Sequence, residues 1–305
     1  MLRTVSLMLL LVTGVALAQD KQIEGPKVVC PATLSVATVG DSNQCINWDG
    51  LPRTYVLHIP PGYKSATRLP LVLVLHGLNG SGQSMEAGSK MSDKADQENF
   101  IVAYPNATQN PDVWDTNLSP IGTKGVDDVG FIRALIDKLE HDLHIDGRRI
   151  YICGFSSGAN MTYLLGAKLS HRLAAIGIVS GTIGHTYNNS VEEIPSPQEP
   201  VPVIAFHGKN DFTIPYEGGG KYKVLPVATS IKFWVNADGC ESLPQKTTRT
   251  DDLKIDEYGG CKDGSEVILY TFANGEHEWP KLKSGNDNFS ANDAMWKFFV
   301  NHPRR

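Results

Sequence analysis

The sequence has no strong charge imbalance and no basic cluster. Its 305 residues include 28 Lys and Arg against 33 Asp and Glu, for a net charge of -5. No run of Lys and Arg forms the positive stripe of a nucleic-acid-binding protein, so we expect no nucleic-acid partner. The 29 glycines and 18 prolines follow no period, which excludes collagen-like and low-complexity chains. A hydrophobic content of 41% indicates an ordinary globular protein.

Long hydrophobic runs are also missing beyond the N-terminus. No later segment reaches the roughly 18 uncharged apolar residues that span a bilayer, so we expect no membrane association. The N-terminal segment has Arg3 near its start, an apolar stretch at 5–15, and the small-x-small pattern Ala16-Leu17-Ala18. This pattern predicts a signal peptide over residues 1–18 rather than a retained anchor. We expect a secreted, extracellular protein that begins at Gln19. In a host that glycosylates exported proteins, the acceptor sequons are Asn79, Asn106, Asn117, Asn160, Asn188 and Asn288.

Cysteines are few, with five in the whole chain. None shows the two-plus-two spacing of a zinc site, and we predict neither a metal nor a cofactor. Cys153 lies in an apolar run, 150–153, that is typical of a buried strand, so we expect it to be unpaired. In an exported protein the other four form disulfides. The short-loop pairing is Cys30–Cys45 with Cys240–Cys261, although sequence alone does not prove connectivity.

Short apolar segments alternate with segments of helical periodicity. Several of the apolar segments are hydrophobic on both faces, as in a parallel sheet that is covered by helices on each side. The predicted strands are 55–59, 71–75, 100–104, 150–153, 175–180, 203–206 and 267–272. The predicted helices are 129–143, 159–169, 226–237 and 290–300. The alternation predicts one α/β domain over residues 19–305, with a mostly parallel, doubly wound sheet. We interpret the proline-rich stretch 194–202 as a surface loop beside the site rather than a domain linker.

The pentapeptide Gly-Phe-Ser-Ser-Gly at 154–158 has the Gly-x-Ser-x-Gly pattern. It follows a predicted strand and precedes a predicted helix, which is the context of a nucleophile elbow. Glycine on both sides allows the sharp turn that projects the central hydroxyl. We therefore predict Ser156 as a nucleophile and interpret Ser157 as a source of backbone N–H only. A plain glycine-rich turn is the alternative.

A serine hydroxyl needs a general base and a carboxylate that orients the base. In the strand–elbow–helix architecture these groups follow the serine in the order Asp or Glu, then His. Asp211 follows the strand at 203–206, and His277 follows the strand at 267–272. We predict these two residues as the partners of Ser156. His185 is a weaker candidate for the base.

Attack on an ester also needs donors for the developing oxyanion. The backbone N–H of Ser157 is one candidate, because it follows the nucleophile. The loop after the strand at 71–75 should give the second, and we assign it to the Leu78 backbone with Asn79 as the alternative. His76 is expected to brace this loop.

These motifs together resemble the secreted feruloyl esterase, acetylxylan esterase and poly(3-hydroxybutyrate) depolymerase group, the family-one carbohydrate esterases of the α/β-hydrolase fold. The resemblance spans about residues 53–300. It rests on the motifs at 75–77, Trp114, 126–132, 154–158, 207–211, 215–219 and 277–280. It implies an α/β-hydrolase fold, with Ser156, Asp211 and His277 at the triad positions. It also implies a disulfide in the segment from Cys240 to Cys261.

The resemblance implies a secreted serine esterase whose substrate is an esterified polysaccharide or a small ester. We expect a feruloyl esterase that acts on plant cell-wall arabinoxylan. The alternatives are an acetylxylan esterase, a polyester depolymerase, a serine peptidase of the prolyl-oligopeptidase type, and a catalytically silent carbohydrate-binding relative. We predict that Trp279 and Trp114 bind substrate, because an indole face can stack on a phenolic acyl group or a sugar ring.

Overall fold

The computed structural model describes residues 30, 38–108, 112–118, 125–284 and 287–305. The predicted signal peptide over residues 1–18 and the new N-terminus at Gln19 lie outside the described residues. Within the described part of the chain, no helix is both long enough and apolar enough to cross a bilayer.

Fourteen strands and six α-helices are described. The strands are β1 (Gly40–Trp48), β2 (Leu51–Ile59), β3 (Leu69–Leu75), β4 (Ile101–Pro105), β5 (Ile145–Phe155), β6 (Ala175–Val179), β7 (Gly184–Tyr187), β8 (Ser190–Glu193), β9 (Val203–Gly208), β10 (Lys246–Arg249), β11 (Leu253–Tyr258), β12 (Val267–Phe272), β13 (Lys281–Ser284) and β14 (Asp287–Ser290). The helices are α1 (Gly82–Ser89), α2 (Met91–Glu98), α3 (Asp128–Asp142), α4 (Ser157–Lys168), α5 (Val227–Ala237) and α6 (Ala291–Asn301).

Ten strands form one sheet in the order β1-β2-β4-β3-β5-β6-β9-β12-β11-β10. Its centre, from β4 to β12, is parallel, and both edges are antiparallel. β7 pairs with β8, and β13 pairs with β14, in two separate hairpins. The arrangement confirms the predicted α/β class with a mostly parallel, doubly wound sheet.

Hydrophobic side chains cover both faces of the sheet. Along β3, Leu71 and Leu73 belong to one core cluster, and Val72 belongs to the other. Successive strand residues point to opposite faces, so a strand buried on both sides reads as an unbroken apolar run. Buried residues of α3, α4 and α5 pack in the first cluster, and those of α1, α2 and α6 pack in the second. This two-sided burial is the reason that the sequence pattern predicted the central strands.

A buried ion pair fastens the start of α3 to β2. Arg53 Nη2 lies 2.6 Å from Asp128 Oδ1, and neither side chain has any exposed surface. Asp128 Oδ2 also accepts a hydrogen bond from the Asp115 backbone N–H, at 2.7 Å. The guanidinium lies over the ring of Phe131, 3.8 Å from its centroid. Burial raises the pKa of Asp128 and lowers that of Arg53, so each charge depends on the other.

The structure contains both predicted disulfides. Cys30 is joined to Cys45 and Cys240 to Cys261, with Cα–Cα distances of 5.3 and 3.8 Å. Cys153 is free and buried in the middle of β5. Burial raises the pKa of its thiol, so the reactive thiolate is suppressed.

Asp238 is a fully buried carboxyl at the end of α5. Its Oδ2 accepts a hydrogen bond from the Ser265 hydroxyl at 2.6 Å, and its Oδ1 accepts one from the Val201 backbone N–H at 3.1 Å. No cation faces it among these partners, and burial raises its pKa to about 7. The folded protein therefore holds a proton here that the unfolded chain releases at about pH 4.

We expect Asp238→Asn to reduce the pH dependence of stability. Because the folded-state pKa is raised, the stabilising contribution of Asp238 is present at low pH and declines as pH rises towards 7. An asparagine can accept from the Val201 backbone N–H through Oδ1 and donate its amide N–H to the Ser265 hydroxyl oxygen, without ionising. The free energy of unfolding of the variant minus that of the wild type should increase by on the order of 2–3 kcal/mol from pH 5 to pH 8. Urea unfolding at both pH values measures this gain. Asp251→Asn, at an exposed carboxyl, is the control. If Asp238→Asn differs from the wild type by the same free energy at both pH values, the prediction is contradicted.

Candidate active site

Ser156 lies at a sharp turn between β5 and α4. Its backbone has φ 56° and ψ -119°, a region that non-glycine residues rarely adopt. A side chain at Gly154 would collide with the Gly158 carbonyl, and one at Gly158 would collide with the carbonyls of Leu75 and His76. The two glycines are therefore required by close backbone packing, and the strained serine has the geometry of a nucleophile elbow.

The structure brings Asp211 and His277 into direct contact. His277 Nδ1 lies 2.8 Å from Asp211 Oδ2. The other carboxylate oxygen accepts hydrogen bonds from the backbone N–H groups of Thr213 and Ile214, at 2.9 and 2.8 Å. A carboxylate only accepts hydrogen bonds, so it selects the His277 tautomer with the proton on Nδ1. Nε2 is then left as an acceptor.

Adjacent parallel strands explain how these two residues meet. β9 and β12 are neighbours, and Gly208 pairs with Phe272 at their carboxyl ends. The loops that follow are joined by hydrogen bonds from Lys209 N to Phe272 O and from Asn210 N to Gly275 O, both 2.9 Å. A side chain at Gly208 would collide with the backbone of Gly275. The loop after β9 and the loop after β12 are therefore held together, beginning at Gly208.

Asp211 remains ionised although it is almost fully buried. Burial by itself opposes ionisation, but the hydrogen bonds from His277 and from the Ile214 backbone hold the pKa of Asp211 below its usual value. His207 packs close by, with its Nε2–H donating to the Ile214 carbonyl at 2.8 Å. Burial lowers the pKa of His207, so it stays neutral beside Asp211. His207 therefore does not neutralise Asp211, and the carboxylate interacts mainly with His277.

The loop after β3 is held by a buried histidine. His76 Nδ1 lies 2.7 Å from the Gly77 carbonyl, and its Nε2 accepts a hydrogen bond from the Ala107 backbone N–H at 3.1 Å. Burial lowers the pKa of His76, which keeps the ring neutral. Asn79 donates its own N–H to the Asp112 carbonyl at 2.9 Å, whereas Leu78 has no backbone acceptor among the described residues. This favours Leu78 over Asn79 as an oxyanion donor. Ser157 begins α4, where the first N–H groups have no partner within the helix.

Ser156, His277 and the Leu78 loop line one cavity of about 300 Å³. Most of its wall is apolar, with side chains from Val113, Leu118, Phe155, Ile183, Ile194, Ile214 and Val224. The Phe155 ring also packs against His277, with 4.7 Å between the ring centroids. The sequence did not indicate these wall residues, apart from placing the stretch 194–202 beside the site. His185, the weaker candidate for the base, lines the same cavity but has no carboxylate within hydrogen-bond distance.

Neither predicted tryptophan lines the cavity. Trp114 is 1% exposed, and its Nε1–H donates to the His76 carbonyl at 2.9 Å. Trp279 is half-buried, and its Nε1–H donates to Asn292 Oδ1 at 2.9 Å. Trp114 is too buried to stack on a substrate, so that expectation is wrong, and the binding role of Trp279 stays a prediction. Trp114 supports the loop that carries Leu78, and Trp279 fastens the loop that carries His277 to α6.

Several known proteins that are similar to this chain are esterases. Residues 53–195 match the family described as Esterase PHB depolymerase. The chain is 29% identical to a probable feruloyl esterase C from Aspergillus terreus, over 81% of this chain and 84% of that protein. It is 28% identical to feruloyl esterase B from Piromyces equi, over 77% of this chain but only 44% of that longer protein.

A solved structure with the same fold is the acetyl xylan esterase from Aspergillus awamori. It superposes with a TM-score of 0.63 at 19% identity, covering 85% of this chain and 99% of that one. The superposition confirms the predicted α/β-hydrolase fold.

Proposed function

We propose that this carboxylic-ester hydrolase is a feruloyl esterase of the group that contains feruloyl esterases, acetylxylan esterases and poly(3-hydroxybutyrate) depolymerases, to which the similar proteins belong. Its substrate would be the hydroxycinnamoyl ester of plant cell-wall arabinoxylan or a small ester of the same acid. The observation that carries the proposal is the apolar cavity of about 300 Å³ beside Ser156. Transfer of a flat aromatic acyl group from water into such a cavity is favourable.

The proposed reaction proceeds through an acyl-enzyme. Ser156 Oγ attacks the ester carbonyl carbon, and His277 Nε2 takes the hydroxyl proton. Asp211 stabilises the resulting imidazolium through the 2.8 Å contact with Nδ1. The backbone N–H groups of Ser157 and Leu78 bind the oxyanion of the tetrahedral intermediate.

Collapse of that intermediate breaks the ester bond, and His277 returns the proton to the departing alcohol. Water then attacks the acyl-enzyme, with His277 again as general base. The second tetrahedral intermediate then collapses. This step releases the carboxylic acid, and the proton held by His277 restores the Ser156 hydroxyl. The steps use Ser156, His277, Asp211, the two backbone N–H groups and one water molecule.

We expect methyl ferulate to be hydrolysed with a higher kcat/KM than a methyl ester of acetic acid. Burying an aromatic group of this size contributes about 1.5–3 kcal/mol, which corresponds to roughly 10–100-fold in kcat/KM. Initial rates on methyl ferulate, methyl acetate, acetylated xylan and a hydroxybutyrate oligomer measure the preference. A preference for either acetyl substrate would overturn the feruloyl assignment.

The second candidate is a polyester depolymerase, which the description of the matching family favours. An apolar wall also accommodates an aliphatic hydroxyacyl chain. The hydroxybutyrate oligomer in the same panel separates the two functions, because a depolymerase would prefer it to methyl ferulate.

We also propose that the protein is secreted after cleavage behind Ala18. The two disulfides support an oxidising compartment. Of the sequons predicted from the sequence, Asn79, Asn117 and Asn188 are exposed and accessible to a glycosylating host.

A further inference from the structure

His185 is a buried imidazole in an otherwise mostly apolar cavity wall. The residue is 7% exposed and lines the cavity beside Ser156. Its nearest charged partner is Glu192, whose Oε2 lies 3.6 Å from His185 Nε2, beyond hydrogen-bond distance. Among the described residues, neither ring nitrogen of His185 makes a hydrogen bond. The ring therefore has donor and acceptor capacity that the folded chain does not use.

The other deeply buried histidines behave differently. His58 contacts two aspartates, at 2.7 and 2.9 Å. His76 and His207 are each within 2.8 Å of a backbone carbonyl. Buried polar groups in folded proteins are normally hydrogen-bonded, and an exception calls for an explanation. At His185 the explanation is that the ring faces the cavity, so its nitrogens are open to a partner that a bound molecule can provide.

The position of His185 is fixed by the hairpin of β7 and β8. His185 pairs with Glu192 across this hairpin, and it forms an isolated bridge with Val224 on the other side. Val224 is itself tied to Gly219 by two hydrogen bonds, at 2.8 and 3.0 Å. The imidazole is thus held by elements separate from the turn that carries Ser156. Ser156 and the His185 imidazole therefore lie on two different walls of one cavity.

Burial also sets the charge of the ring. It lowers the pKa of His185, against the smaller opposing effect of Glu192. A neutral imidazole has one N–H donor and one acceptor nitrogen. Such a ring matches a hydroxyl group, which both donates and accepts, better than it matches a carboxylate or an ammonium group.

We propose that His185 is a specificity-determining residue that hydrogen-bonds to the phenolic hydroxyl of the acyl group. The inference rests on the proposed function, because it places a hydroxycinnamoyl group in the cavity. With its carbonyl at Ser156, the acyl group extends along the apolar wall, and its hydroxyl reaches the imidazole. An acyl group without the hydroxyl leaves a buried polar group unpaired. Sites built to bond a hydroxyl discriminate strongly for this reason.

The test compares methyl p-coumarate with methyl cinnamate, which differ by one phenolic hydroxyl. Wild type should prefer the p-coumarate ester. His185→Phe should lower kcat/KM for methyl p-coumarate roughly 5–100-fold, the effect of an unmade buried hydrogen bond, and leave methyl cinnamate unchanged or improved. His185→Gln keeps a donor and an acceptor and should recover part of the preference. Val191→Thr, at an exposed site on the same hairpin, is the control for disturbance of the hairpin.

Two outcomes would overturn the proposal while leaving the feruloyl assignment intact. An equal loss on both esters assigns His185 a structural role, and no loss on either shows that the acyl group does not reach it. If wild type hydrolyses neither aromatic ester but does hydrolyse acetyl or hydroxybutyrate esters, the proposed function itself fails, and the inference fails with it. Circular dichroism of each variant confirms that the fold is retained.

Discussion

Ser156→Ala should lower kcat for a fluorogenic ester by about 10⁴-fold or more, because the proton-transfer unit fails when its nucleophile is removed. Alanine keeps the backbone turn but has no hydroxyl for His277 to activate. The Ser156 side chain makes no capping hydrogen bond to α4 that an alanine would lose, so the free energy of unfolding should change little. Single-turnover rates together with circular dichroism measure both effects.

Two further variants separate catalysis from general damage. Asp211→Asn should reduce kcat by a similar order, because an amide at the 2.8 Å contact no longer selects the His277 tautomer with the proton on Nδ1. Ser242→Ala changes an exposed serine outside the cavity wall and should retain wild-type turnover. Near-normal turnover by Ser156→Ala would show that the elbow serine is not the nucleophile.

Arg53→Met should cost about 3–5 kcal/mol of free energy of unfolding, because it leaves the fully buried carboxylate of Asp128 without its cation. For a chain of this size the corresponding decrease in Tm is on the order of 10 °C. The reverse variant, Asp128→Leu, should cost a similar amount. Chemical unfolding of both single variants measures the loss.

The double variant is the sharper measurement. Arg53→Met with Asp128→Leu removes both charges, so its loss should be well below the sum of the single losses. Lys246→Met is the control. It breaks a pair with Glu257 in which the lysine is 66% exposed, and such pairs contribute about 0–1 kcal/mol. Additive losses in the double variant would show that the two residues stabilise the fold independently.

The central sheet was predictable because its strands are buried on both faces. The segment 71–75 is an unbroken apolar run, and it forms most of β3. The edges of the sheet gave no such signal. All four residues of β10 are exposed, and β1 is rich in polar residues. Their strand conformation depends on hydrogen bonds with β11 and β2, the strands that follow them directly in the chain, rather than on burial of their own side chains.

The catalytic candidates were predictable because their chemistry fixes an order along the chain. Ser156, Asp211 and His277 each follow a recognisable strand, and parallel strands end at the same edge of the sheet. The cavity wall was different. His185 and Ile194 reach the cavity only through the folding of the hairpin of β7 and β8, and nothing local indicates their direction.

The tryptophans illustrate the same limit. Proximity in sequence to His277 suggested that Trp279 faces the substrate, but a neighbouring residue in a loop can point elsewhere. Its indole is turned towards Asn292, thirteen positions later in the chain. Trp114 lies in the core, where its indole N–H donates to the His76 carbonyl. The hydrogen-bond partners of the two indoles, Asn292 and the His76 carbonyl, could not be read from the sequence around them.

The hairpin of β7 and β8 is separate from the ten-stranded sheet that carries the proposed triad. Insertions or substitutions in this hairpin can therefore reshape the cavity without shifting the register of β5, β9 or β12. Such an arrangement places the proposed catalytic residues and one part of the cavity wall on separate structural elements. Grafting residues 184–193 from a relative of different acyl preference would be an economical route to altered selectivity.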